Sequence, residues 1–152
     1  MFTGKLLVHA GLIAERYVTW MPSYGAEVRG GTAHSMVVIS DELISSPVVS
    51  VPDTCLILNQ PSLEKFEKKV KNKGLLVVNT TLATSAISRK DLEVIKIPAT
   101  EMASEMDNIQ VANMIVLGAY VSRLKIFPIG AVIEELKNII PSRRHHLLPV
   151  NE

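Results

Sequence analysis

The chain has 152 residues, a length that suits one domain of ordinary size with a real hydrophobic core. Hydrophobic residues make up 47% and charged residues 20%, a balance that excludes a disordered chain. The net charge is +1, sixteen bases against fifteen acids, which leaves no long-range field to draw in nucleic acid or an anionic membrane. Cys55 is the only cysteine, so no disulfide forms within the chain and no cubane iron–sulfur cluster, which needs about four thiolates, is held by it alone. No apolar run approaches the ~20 residues of a membrane span, and the expected setting is the reducing cytoplasm.

Thr3 is a candidate cap for a helix over about Gly4 to Arg16, with Leu6, Leu7, Ala10, Ile13 and Ala14 on one face. Gly4, His9 and Gly11 interrupt the apolar stretch, so it reads as a core helix and not as a signal peptide. Tyr17 to Trp20 is a short strand, and Pro22 to Gly31 a polar, glycine-rich connection. Met36 to Ile39 is the core of the next strand. Leu43 to Val49 contains Pro47 and reads as irregular or edge chain. Cys55 to Leu58 is a strand ending at Asn59. Pro61-Ser62 opens a helix over Leu63 to Val70, with Leu63, Phe66 and Val70 inward and a Glu64–Lys68 pair outside. Asn72-Lys73-Gly74 stops it.

Leu75 to Val78 is a buried strand ending at Asn79, and Leu92 to Ile97 another, closed by Pro98. Thr100 caps a helix to about Met106, broken by Asp107-Asn108. Val111 to Leu124 is apolar nearly all round, a buried helix in which Gly118 suggests close approach to the sheet. A last helix runs from Gly130 to Ile140, with Val132, Leu136, Ile139 and Ile140 inward. Alternation of strands and helices predicts an α/β domain over residues 1–140, three-layered with a largely parallel sheet, followed by a tail over 141–152. Arg143-Arg144-His145-His146 reads as part of that solvated tail.

In open α/β sheets, ligands and partners bind beyond the carboxyl ends of the strands. The connection after the first strand holds Tyr24, Gly25, Glu27, Arg29, Gly30 and Gly31, where glycine permits close approach and one or both charges reach outward. An ordinary glycine-rich turn with a surface ion pair is the bland alternative. Asn59 and Ser62, at a strand end and helix start, are candidates for an anion or for plain capping. Asn79 and Thr80 are candidates for the same crevice or for local turn bonding. Cys55 reads as a buried small hydrophobe. The four histidines show no ligand spacing, so no metal site is expected. There is no G-x-S-x-G elbow, Walker A run or G-x-G-x-x-G, and no residue is nominated as catalytic.

The run Tyr17-Val18-Thr19-Trp20-Met21-Pro22-Ser23-Tyr24-Gly25-Ala26-Glu27-Val28-Arg29-Gly30-Gly31 resembles the signature of the gamma subunits of 2-oxoacid:ferredoxin oxidoreductases. Ile44 to Val49, Leu58 to Phe66, Ile97 to Ala103 and Val111 to Ala119 are similar to later parts of the same family, so the resemblance covers nearly all of Thr3 to Leu136. The tryptophan and Asn59-Gln60-Pro61-Ser62 look most like the branch acting on 2-oxoglutarate or branched-chain 2-oxoacids. The resemblance implies a Rossmann-like domain in a multi-subunit enzyme that oxidatively decarboxylates a 2-oxoacid to an acyl-CoA and passes electrons to ferredoxin or a similar acceptor. It implies thiamine diphosphate, iron–sulfur clusters and coenzyme A in the complex, with alpha, beta and possibly delta subunits as partners. It places Tyr24 to Gly31 against those partners or coenzyme A. The family's first strand and its G-x-G-G-Q-G turn have no counterpart before Gly4, so the first strand is expected to be missing and stability lower than in a relative that has it. Two alternatives stay open: a scaffold subunit that binds no ligand, and a stand-alone nucleotide-binding domain.

Overall fold

The structure is a computed structural model that describes residues 1–23 and 32–139. In chain order the elements are α1 (Phe2–Ile13), β1 (Tyr17–Ser23), β2 (His34–Ser40), β3 (Thr54–Ile57), α2 (Gln60–Phe66), β4 (Leu75–Asn79), β5 (Glu93–Ile97), α3 (Ala99–Glu105), α4 (Ala112–Leu124) and α5 (Ile129–Ile139). Short 3-10 turns at Glu67–Lys69 and Ile109–Val111 follow α2 and precede α4. The described residues form two compact units, one of Met1–Val49 with the residues from Leu124 onward, the other of Ser50–Arg123.

In the first unit, α1 starts at Phe2 without a side-chain cap, so Thr3 lies inside the helix and does not cap it. It ends at Ile13, short of the expected Arg16, because Glu15 takes φ 55 and the Arg16 N–H turns back to the Gly11 carbonyl at 2.9 Å. That left-handed closure stops a helix as firmly as a glycine would. Leu6, Leu7 and Ala10 are buried, and Gly4 and Gly11 lie on the face against the strands. A Cβ on Gly4 would sit 2.5 Å from Ser35 Oγ, and one on Gly11 would sit 2.6 Å from Val18 Cγ1. The glycines therefore set how closely α1 lies on the sheet.

β1 and β2 pair antiparallel from Tyr17↔Ser40 to Ser23↔His34, in a sheet of their own. The ten residues between the two strands are fewer than the dozen or more of a parallel crossover. Arg16 closes the base of this pair with an ion pair to Asp41. Residues 41–49 form no strand, the irregular chain that Pro47 implied. α5 buries Val132 and Leu136, while Glu135, 6% exposed, meets His9 Nδ1 at 2.9 Å. The side chains of Ile139 and Ile140 lie outside the described residues.

The second unit carries the parallel sheet, in the order β3-β4-β5. Register pairs run Thr54↔Leu75 to Ile57↔Val78 and Leu75↔Glu93 to Asn79↔Ile97. β4 is central and buried along its whole length, as an unbroken aliphatic run dictates. Alternation along it divides the core into two faces. Leu76 and Val78 pack with Ile57, Leu63, Val70, Ala83 and Leu92, whereas Leu75 and Val77 pack with Ala99 and Val116. Each fully buried Leu or Val contributes about 1.5–3 kcal/mol. Helix, sheet and helix are the three layers that the alternation of elements implied.

Four local expectations need correction. α2 ends at Phe66, so Lys68 falls in the 3-10 turn and the Glu64–Lys68 spacing is no longer helical; Glu64 instead accepts from Gln60 Nε2 at 2.8 Å. Pro98, not Thr100, is the N-cap of α3. α4 is buried only at Val116, Leu117 and Val121, with Ser122, Arg123 and Leu124 exposed. A Cβ on Gly118 meets no described atom within 4 Å, so no close helix–sheet approach explains that glycine.

Candidate functional site at the strand ends

Tyr24, Gly25, Glu27, Arg29, Gly30 and Gly31 lie outside the described residues; the flanking Ser23 and His34 are register partners. Asn59, Ser62, Asn79 and Thr80 lie together at the carboxyl edge of the parallel sheet. Asn59 is the N-cap of α2, extended at φ −152 and ψ 167, and its Oδ1 accepts from the Ser62 N–H at 3.1 Å. Asn59 therefore caps α2 and Ser62 supplies the N–H.

Asn79 is 1% exposed and ties all three strand ends. Its Nδ2 donates to the Leu58 carbonyl at 3.3 Å and to Thr100 Oγ1 at 2.8 Å, and its Oδ1 accepts from the Thr100 N–H at 3.2 Å. The next N–H donates across to β5, Thr80 to the Ile97 carbonyl at 2.8 Å, and Thr81 Oγ1 accepts from the Glu101 N–H at 3.2 Å. The N–H groups of Ser62, Thr100 and Glu101, which at open helix starts would face an anion, are thus already held by side chains. The amides that marked this edge in the sequence cap helices here.

At the opposite edge of the same sheet is a network the sequence did not single out. Glu67, 7% exposed, accepts at Oε1 from the Ser88 N–H (2.6 Å), Ser88 Oγ (2.8 Å) and the Arg89 N–H (2.8 Å). Burial pushes its carboxyl up, but the Arg89 and Ser88 donors and the Arg89 charge outweigh that and hold it below the usual carboxylate value. The Arg89 guanidinium donates to Asp91 through Nε (2.9 Å) and Nη2, to Asn72 Oδ1 (3.1 Å), to the Val70 carbonyl and to the Glu67 carbonyl (3.5 Å). Asp91 is held down at about 2, mainly by the Arg89 hydrogen bond. This clamp fixes the helix-free crossover from β4 to β5 against the end of α2. The one sequence clue was Glu67 four residues after inward-facing Leu63.

Lys68, Asn72, Lys73, Arg89 and Asp91 line an open depression of about 480 Å³ beside the clamp. Cys55 packs partly buried against the core, its thiol pushed up to about 11 by burial. Burial, with the Asp53 charge, pushes Tyr120 up to about 12. Among the described residues no group of three or more His, Cys, Asp or Glu is placed to hold a metal ion, and no helix is long and apolar enough to cross a membrane.

The chain is similar to the ketoisovalerate oxidoreductase subunit VorA of Methanothermobacter marburgensis, 40% identical over 116 residues, 76% of this chain and 24% of that one. It therefore spans about a quarter of the length of the VorA relatives. It is 37% identical over 128 residues to the 2-oxoglutarate synthase subunit KorC of Methanocaldococcus jannaschii, 78% of this chain and 68% of the relative. Two solved structures share the fold. The gamma subunit of a keto/oxoacid ferredoxin oxidoreductase from Geobacter sulfurreducens superposes at TM-score 0.82 with 23% identity, over 99% of this chain and 85% of that one. The 2-oxoglutarate:ferredoxin oxidoreductase of Magnetococcus marinus superposes at 0.86 with 22% identity, over 99% of this chain and 26% of that one. All 152 residues match the family described as pyruvate ferredoxin/flavodoxin oxidoreductase, and the chain belongs to that family.

Proposed function

We propose that this chain is the gamma component of a multi-subunit 2-oxoacid:ferredoxin oxidoreductase and has no activity alone. The assembly oxidatively decarboxylates a 2-oxoacid, 2-oxoglutarate in our reading, to an acyl-CoA and passes the electrons to ferredoxin or a similar acceptor. The match over residues 1–152 carries this reading. Similarity to KorC relatives over two-thirds or more of their length, in three of the archaeal sequences, supports 2-oxoglutarate as the substrate. Alpha, beta and possibly delta subunits are the partners, and the cytoplasm is the compartment that suits the free thiol of Cys55.

The chain's own residues do not fit an iron–sulfur cluster, because the one cysteine is desolvated within a strand. In this reading the other subunits hold the clusters and thiamine diphosphate. Coenzyme A or partner contacts fall to Tyr24, Gly25, Glu27, Arg29, Gly30 and Gly31, with Glu27 and Arg29 foremost. Asn59, Ser62, Asn79 and Thr80 shape the carboxyl edge of the parallel sheet. Arg29→Ala is expected to weaken assembly or coenzyme A use while the isolated chain melts at an unchanged temperature; full assembly and full activity in that variant would refute the role. A second reading, a scaffold that binds no ligand, is favoured by the capped starts of α2 and α3.

The test is to tag the chain in its native cell, recover it, and assay 2-oxoacid- and coenzyme A-dependent dye reduction. Recovery of larger subunits with thiamine diphosphate, clusters and 2-oxoglutarate-dependent activity supports the proposal, and recovery of the chain alone overturns it. Coenzyme A binding by the complex with and without this chain separates the two readings.

A further inference from the structure

Five lysines, Lys65, Lys68, Lys69, Lys71 and Lys73, fall within nine residues of a chain whose total charge is close to balance. The carboxylates around them are engaged elsewhere. Glu64 accepts from Gln60, and Glu67 is buried under Ser88 and Arg89. Asp91 pairs with Arg89, and Asp53 takes only Lys71, at 2.9 Å. Lys65, Lys68, Lys69 and Lys73 are left exposed, with no carboxylate among the described residues within ion-pair distance.

Their positions are fixed by the fold. Lys65 and Lys69 both stand over the ring of Phe66, at 5.5 and 5.7 Å from its centroid. Lys68 and Lys73 line the open depression with Arg89. Two pairs of uncompensated ammonium groups thus flank one end of α2, held against their mutual repulsion by backbone that the Arg89 clamp anchors.

We propose that this lysine face docks the acidic surface of a protein partner. A bound phosphate is a poorer fit, because the donors of Arg89, the planar fork that grips phosphate, are taken by Asp91, Asn72, Val70 and Glu67. A bilayer is a poorer fit, because Phe66, the aromatic ring under the lysines, packs against the core and is not free to insert. Hydrated lysine charges on a solvent-facing rim steer an acidic protein and give a salt-dependent, readily reversible contact.

The inference is independent of the proposed function and is tested on the full chain. The probe is a fluorescent deca-glutamate peptide, titrated at about 20 mM and about 0.3 M salt. The triple variant Lys65→Gln, Lys68→Gln, Lys69→Gln is compared with Lys5→Gln, Lys96→Gln, Lys125→Gln, which removes the same charge elsewhere. The expected result is binding at low salt, weakened at least about tenfold by the first set and less than about twofold by the second, with both variants melting like the parent. Equal loss in the two variants, or no loss in the first, overturns the proposal. So does tighter binding to phosphatidylserine vesicles or inorganic phosphate than to the peptide.

Discussion

Replacing Asn79 by Ala distinguishes architecture from ligand binding at the carboxyl edge of the sheet. The side chain is 1% exposed and makes three hydrogen bonds, to the Leu58 carbonyl and to both the hydroxyl and the N–H of Thr100. Removal of an Asn cap costs about 1 kcal/mol, and the donors and acceptors left unpaired at a half-buried edge add about 1–2 kcal/mol more. The expected loss is about 2–3 kcal/mol, a large share of the about 5–15 kcal/mol that holds a domain together. In urea, where a small protein loses about 1–3 kcal/mol per molar, the midpoint should fall by about 1 M with an unchanged slope. Asn79→Asp keeps an acceptor for the Thr100 N–H but loses both donors and faces a carbonyl with a buried charge, so at neutral pH it should be no more stable than the Ala variant. A midpoint within about 0.2 M of the parent would refute the reasoning and return Asn79 to the list of ligand contacts.

Glu67→Gln should destabilise by about 1–2 kcal/mol at neutral pH, since it retains an acceptor but loses the charge that Arg89 and the Ser88 donors favour. Because the folded carboxyl titrates below its unfolded value, its contribution is present above the unfolded value and fades as pH falls through the folded one. Denaturation series at several pH values should therefore show parent and variant converging in acid; a constant gap would contradict the assignment. Gly74→Ala should cost about 1–3 kcal/mol or more, because its Cβ would stand 2.7 Å from the Asp53 carbonyl and 2.8 Å from that of Lys71, neither a flexible side-chain end; a thermal melt unchanged from the parent would count against the close approach. Cys55, pushed up to about 11, should react with a disulfide reagent at pH 7 at least about a hundredfold more slowly than a free thiol until the protein is unfolded.

The aliphatic runs at Cys55–Leu58 and Leu75–Val78, the polar residues that end them and the helical spacing of Leu63, Phe66 and Val70 are local signals, and they made the parallel sheet and its first covering helix legible. Signature residues likewise marked the family, because Pro22 to Gly31 is specific in sequence whatever its conformation. Other features depend on partners distant along the chain. Nothing near Asn79 in sequence says that its amide will bond Thr100, twenty-one residues on. Nothing near Glu67 says that Ser88 and Arg89 will reach back to it, nor that Glu64 will turn to Gln60 and leave Lys68 without its expected partner. The antiparallel pairing of β1 with β2 was likewise open, since a strand's residues report its burial more clearly than the direction of its neighbour. Sequence by itself determined which segments are strands and helices and which family they belong to. Tertiary structure decided which polar groups are engaged within the fold and which charges are left facing outward, because hydrogen-bond and ion-pair partners are chosen by proximity in space and not along the chain.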